Sequence, residues 1–279
     1  MINFKQLAQT RSVRTIGLLL MVFCFLLSGC SDKVNIAQLC DENKTICEEI
    51  SADNWCKAER IDVVVHSVNV KNNNLDDDKY KLLVAYEGYI KCMSLAAQIQ
   101  HIKLKEKTTK RKNNLYTAQA KLEQLTTEVA HSKNPHILYY QWSRNSNEEA
   151  LADFLALEGT KQLESSMGQH HLATYYIKRD TQKTLGLLYR SLELHQPEAE
   201  LNPEILMSLA TILTNKKQYK QAYIWLRAYQ LSLGKPDKMI ESNLKSYQSV
   251  GNLNADFLDD VADSTLDKIQ AGKFKSPSY

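Results

Sequence analysis

The feature that most constrains this chain is a self-similarity at a shift of 37 residues, which begins at Pro135. Leu151, Leu188 and Trp225 fall in line, as do Leu155, Leu192 and Tyr229, then Leu157, Leu194 and Leu231. Earlier in each period Tyr139, Tyr176 and Leu213 correspond. A period of roughly 20 to 50 residues marks an array of supersecondary units, each of which buries its apolar face only by stacking on its neighbours. The spacing predicts three helix-turn-helix units over 135–235. The last two agree best, Leu172-Ala173 matching Leu209-Ala210 and Arg190 matching Arg227, with Asp180 and Lys216-Lys217 in the turns.

The preceding stretch also reads as helical. Val63-Val64-Val65 favours a strand by propensity, but Ile61, Val64, Val65 and Val68 share one helix face, so residues 55–70 are assigned to a helix that Asn72-Asn73-Asn74 breaks. Asp76, Asp77 and Asp78 suit a helix start. The stripe Leu82, Tyr86, Tyr89, Met93 and Ala96 then predicts a long helix ending near Lys112. Its tail, Lys103, Lys105, Lys107, Lys110, Arg111 and Lys112 against Glu106, reads as a solvated helix end or as a basic patch for anionic lipid or an acidic partner. Leu115, Ala118, Leu122, Leu125 and Val129 alternate in steps of three and four, a seam that packs one helix along another, so a hairpin is expected over 55–134. Beyond the units, Pro236 opens one helix and Ala255 another, with Phe257, Leu258, Val261 and Leu266 as apolar positions and Asp256, Asp259, Asp260, Asp263 and Asp267 outside them. Residues 236–279 are therefore expected to cap the array.

The third unit resembles a tetratricopeptide or Sel1-like repeat. Leu209, Ala210 and Leu213 stand at its first-helix packing positions, Tyr219 at its turn and Ala222 where the paired helices approach. Leu185 and Glu148 replace the expected alanine in the other two units, and the period exceeds the family's. The resemblance implies an all-α fold, a helical hairpin region followed by a degenerate tetratricopeptide/Sel1-like α-solenoid. Its register puts Ile137, Tyr140, His170, Thr174, Ile177, Met207 and Thr211 on the concave side, a groove suited to an extended peptide. The chain as a whole resembles a family of uncharacterised proteobacterial lipoproteins, through CMSLAAQIQHIKLK from Cys92, YYQWSR from Tyr139 and LALEG from Leu155.

The first 29 residues have the layout of an export signal: Lys5, Arg11 and Arg14 with no acid, then an unbroken apolar run of twelve, Ile16 to Leu27. That run is shorter than the roughly 20 residues a spanning helix needs. Leu27-Ser28-Gly29-Cys30 resembles a bacterial lipobox, which implies cleavage before Cys30, a diacylglycerol on its sulfur and an acyl chain on its amine. Several chains make a durable anchor where one gives marginal hold. Ser31 after the cysteine implies, by likeness to sorted lipoproteins, the outer membrane, with the protein facing the periplasm. Cys40, Cys47, Cys56 and Cys92 then remain in an oxidising compartment, where disulfides form. The pairing expected is Cys40 with Cys47 and Cys56 with Cys92, ahead of a metal site, and 30–54 reads as an anchor and cysteine-bearing cap.

Loss of the signal's three cations leaves the basic residues equal in number to the 32 acidic ones, which argues against a nucleic-acid partner. Nucleophile elbow, phosphate loop, dinucleotide fingerprint and zinc-protease motifs are missing from the sequence. His170 and His171 are adjacent, about 100° apart around a helix, and read as a polar pair at a helix start rather than as chelators. The expectation is a protein-interaction scaffold without cofactor or catalysis, bound to an envelope protein or peptide. The alternative is a cell-wall enzyme, or a direct activator of one, whose carboxylates meet only in the fold.

Overall fold

The structure, a computed structural model, describes residues 35–276. The signal segment and Cys30 lie outside the described residues. Within them the fold is all-α, with thirteen α-helices and one short 3-10 turn. The chain forms two compact units, one through Ser51 and one from Ala52.

In the first unit, α1 (Ile36–Glu42) and α2 (Lys44–Glu49) meet at Asn43. Both are short for free-standing helices. The Asn35 side chain accepts from the Ala37 and Gln38 N–H groups at the start of α1, and the Cys40–Cys47 disulfide, with Cα atoms 5.6 Å apart, ties the two helices together.

The second unit is a solenoid-like series in which helices pack in adjacent pairs. It runs α3 (Lys57–Asn73), α4 (Asp76–Ala96), α5 (Lys105–Glu128), α6 (Pro135–Asn145), α7 (Glu148–Ala156), α8 (Ser166–Tyr176), α9 (Thr181–Glu193), α10 (Pro203–Asn215), α11 (Tyr219–Ser232), α12 (Lys238–Gly251) and α13 (Ala255–Gln270). The starts are written in the sequence. Asn134, Asn147, Ser165, Asp180, Asn202, Asp237 and Asn254 each accept a backbone N–H from the first turn of the helix that follows. Pro135 and Pro203 occupy first-turn positions where no N–H is needed.

The valine-rich segment is helical, as its periodicity indicates: Val63, Val64 and Val68 are buried, and Asn74 stops α3 in a left-handed conformation, φ 51°. Cys56 and Cys92 are joined, with Cα atoms 5.9 Å apart, and staple the start of α3 to the last turns of α4.

The long helix expected from Asp76 to Lys112 does not form. α4 ends at Ala96, a turn occupies 97–104, and α5 runs without a break through Asn113-Asn114. The cause is Arg111. Its side chain is buried, its Nη1 donates to the Ala96 carbonyl at 3.1 Å, and its Nε and Nη2 donate to the two Asp53 carboxylate oxygens at 2.9 and 3.0 Å. A carbonyl left open at a helix end is thus satisfied by a side chain one helix later, which fixes the reversal. Arg111 does not belong to the solvated basic tail. Asn114 is buried, as are Ala118, Leu125 and Val129, so the expected seam is real and begins with a polar residue, one position before Leu115.

The 37-residue period aligns α8–α9 with α10–α11, whose first helices begin at Ser166 and Pro203. The first unit is out of that register. α6 begins at Pro135, so Tyr139 lies early in its helix, whereas Tyr176 closes α8. Phe154 and Ala150 take the buried positions of α7, and Leu151 and Leu155 are half-buried.

The main core spans α9 to α13, around Leu206, Leu209, Ala222, Tyr223 and Ala228. Leu258, Ala262, Leu266 and Ile269 bury one stripe of α13, whereas Phe257, expected inside, is 56% exposed. Asp259 on that helix accepts from the Tyr223 hydroxyl at 2.7 Å and Arg227 Nε at 2.9 Å, so one of the cap's aspartates is a fastening point. Past α13 the chain turns at Gly272, φ +64°, and buries Phe274 against Trp225.

Candidate partner groove

The groove is built on α10. Met207 and Thr211 lie one turn apart and therefore share a face. On one side of them, Ile177 after α8, Thr181 at the start of α9, and Asn215 and Lys216 enclose about 550 Å³. On the other, Met207 and Thr211 face Tyr229 of α11 and Met239, Asn243 and Tyr247 of α12 across a space of about 330 Å³. The Thr214 and Tyr247 hydroxyls lie 2.8 Å apart and tie α10 to α12 at its floor. The walls are apolar, aromatic and uncharged polar, with Lys216 at one end and Asp237 at the other. Such a surface takes side chains and amides of an extended segment.

Of the seven residues expected to line a concave side, Ile177, Met207 and Thr211 meet here. Ile137 and Tyr140 do not: they are 0% and 4% exposed, inside the core. The reason is the register shift of the first unit, which turns this face of α6 inward. Burial pushes the Tyr140 phenol up, with the Glu87 carboxylate adding to the shift. Thr174 is half-buried and donates to the His170 carbonyl of its own helix at 3.0 Å. His170, also half-buried, has its Nδ1 3.4 Å from the Asn202 side-chain nitrogen.

Around α8 lies a knot of rings that sequence reasoning missed. His171 is in the middle of α8, not at a helix start, and is buried. Its ring stacks on Tyr139 at a centroid distance of 3.8 Å, its Nε2 lies 3.1 Å from the Tyr80 hydroxyl, and its Nδ1 lies 3.3 Å from Nδ1 of His136. One imidazole must donate and the other accept, so at least one of the two is neutral. Desolvation holds His136 and His170 below the usual histidine range and His171 well below it, the neighbouring His136 adding to the last. The knot ties α4, α6 and α8 together. A signal for it existed in the helix spacing: His136, Tyr139 and Tyr140 crowd the first turns of α6.

Among the described residues, the one set of three donor atoms close enough to share a metal is Cys56, Glu59 and Cys92, within 4.8 Å of one another. The two sulfurs are bonded to each other, so neither is a thiolate ligand.

Comparison with known proteins gives a family and nothing narrower. No curated protein and no solved structure matches the chain. A family model described as "Protein of unknown function (DUF2989)" matches residues 27–227, from the lipobox-like segment through α10 and into α11, and the chain belongs to that family.

Proposed function

We propose that this protein is a lipid-anchored scaffold facing the periplasm, whose degenerate tetratricopeptide-like array holds an extended segment of another envelope protein. The observation that carries the reading is the groove along α10, open on both sides of Met207 and Thr211 and lined for side chains and amides rather than for a polyanion. The anchor rests on Leu27-Ser28-Gly29-Cys30, and the two disulfides suit an oxidising compartment.

A photo-crosslinking amino acid placed at Thr211 in living cells tests the groove, with Lys220 on α11 as the comparison site. The expected result is one discrete adduct from Thr211 and none from Lys220. Equal adducts from both sites, or none from Thr211, refutes the groove. Fatty-acid labelling lost in Cys30→Ala tests the anchor, and fractionation that finds the protein wholly in the inner membrane refutes the outer-membrane placement.

A further inference from the structure

The turn between α4 and α5 exposes apolar side chains that the fold does not need there. Ile102 is 90% exposed, Leu104 52%, Leu95 63% and Ile99 36%, all within ten residues of chain. A soluble tip ordinarily carries polar residues, and clustered exposed apolar groups mark a contact surface. Around them stand Lys103, Lys105, Lys110 and Lys112, exposed, and Lys107, half-buried, against the single acid Glu106. Ile102, Lys105, Thr109 and Lys112 border a recess of about 450 Å³ in the same tip. Apolar side chains among ammonium groups are the chemistry of an interface with anionic lipid, the tails taking the former and the headgroup phosphates the latter.

A second observation concerns where the chain arrives. The second unit begins at Ala52, and Asp53 is clamped by Arg111, which also holds the Ala96 carbonyl at the end of α4. The start of this unit is therefore fixed beside the α4–α5 turn.

We propose that the α4–α5 tip is a second membrane contact, docking on anionic phospholipid headgroups with Ile102 and Leu104 inserted. This adds to the lipid-anchor reading and rests on it only for bringing the protein to a bilayer.

The test uses the mature chain from Ser31, without lipid, and flotation with phosphatidylcholine vesicles that contain or lack phosphatidylglycerol. The expected result is co-flotation with the phosphatidylglycerol vesicles alone, weakened by salt. Ile102→Ser with Leu104→Ser should lower partitioning at least about tenfold, and Lys105→Gln with Lys112→Gln should flatten the salt dependence. Val250→Ser, at an exposed apolar position on α12, should change nothing. Unchanged melting temperatures establish that the variants are folded. Equal binding to both vesicle types, or full binding by the Ile102 and Leu104 variant, overturns the proposal. So does displacement by millimolar glycerol phosphate, which assigns the lysines to a soluble anion. Loss of fatty-acid labelling at Cys30 bears on the anchor alone, because these vesicles meet an unlipidated chain.

Discussion

Arg111 grips both carboxylate oxygens of Asp53 across 58 residues of sequence, with the two side chains only 3% and 5% exposed. The pair closes the start of the second unit onto the α4–α5 turn. The guanidinium holds the Asp53 carboxyl below the usual carboxylate range, against the opposing effect of desolvation.

Removal of one partner strands the other, which is the costly way to break a buried pair. Arg111→Met should therefore destabilise the fold by about 3 to 5 kcal/mol, and more than Asp53→Asn with Arg111→Met together. Chemical denaturation of the two variants checks this. A single variant no less stable than the double would show that the pair is solvent-screened.

The Cys56–Cys92 bridge closes a loop of 36 residues. In the chain-entropy model its loss costs roughly 3 to 4 kcal/mol. Cys56→Ser with Cys92→Ser should melt at a lower temperature, and each single variant should form disulfide-linked dimers through the thiol left over. Peptide mapping without reduction should recover the two described pairs; a Cys40-to-Cys92 peptide would contradict the connectivity.

The histidine knot makes stability depend on pH in a definite direction. His136, His170 and His171 bind protons less readily in the folded protein than ordinary imidazoles, near 6.5, do in the unfolded chain. As pH falls below 6.5 the unfolded chain takes up protons that the folded one refuses, so stability is full above that value and is lost toward acid. His171→Phe, which can keep the stack on Tyr139, should melt lower near neutrality because Tyr80 and His136 lose a partner, yet show a shallower slope between about pH 7.5 and 5.5. An identical slope in the variant would remove His171 from the account; His66 and His195, also held low by burial, supply the remainder.

The groove and the core separate cleanly by substitution. Ile177→Glu with Thr211→Glu changes two exposed side chains, so a photo-crosslinker moved to Asn215, which borders both spaces of the groove, should lose its partner while stability moves by no more than about 1 kcal/mol. Tyr140→Ala should instead cost about 3 to 5 kcal/mol, as buried aromatic truncations do. A partner adduct that survives the double glutamate variant would place binding elsewhere.

Helices, caps and both disulfide partners were legible because each has a local signature: a period, a capping side chain, a pair of cysteines at bridging distance along packed helices. The α4–α5 reversal was not, since it depends on a cation at 111 reaching back to a carbonyl at 96 and a carboxylate at 53, and no window of sequence holds all three. The groove was half legible. Met207, Thr211 and Ile177 follow from the register that α8 and α10 share, but carrying it to α6 failed, because that helix begins 31 residues before α8 rather than 37. His171 was missed because its partners come from two distant helices, Tyr80 from α4 and His136 and Tyr139 from α6.

Packing in adjacent pairs also bears on how the protein is made. When helices bind chiefly to the helix just before them, the loops to be closed are short and folding is fast. Each hairpin can close once its second helix has emerged, from α3 against α4 onward, with no need to wait for the C-terminus. Contacts of longer range break that order, two of them across more than 80 residues. Tyr80 must hold for His171, 91 residues later, and Glu193 for Ser276, 83 residues later. A chain arrested before α8 should therefore show helical hairpins already formed but a Tyr80 ring still exposed to quenchers, and the Glu193 contact should follow only once Ser276 has emerged.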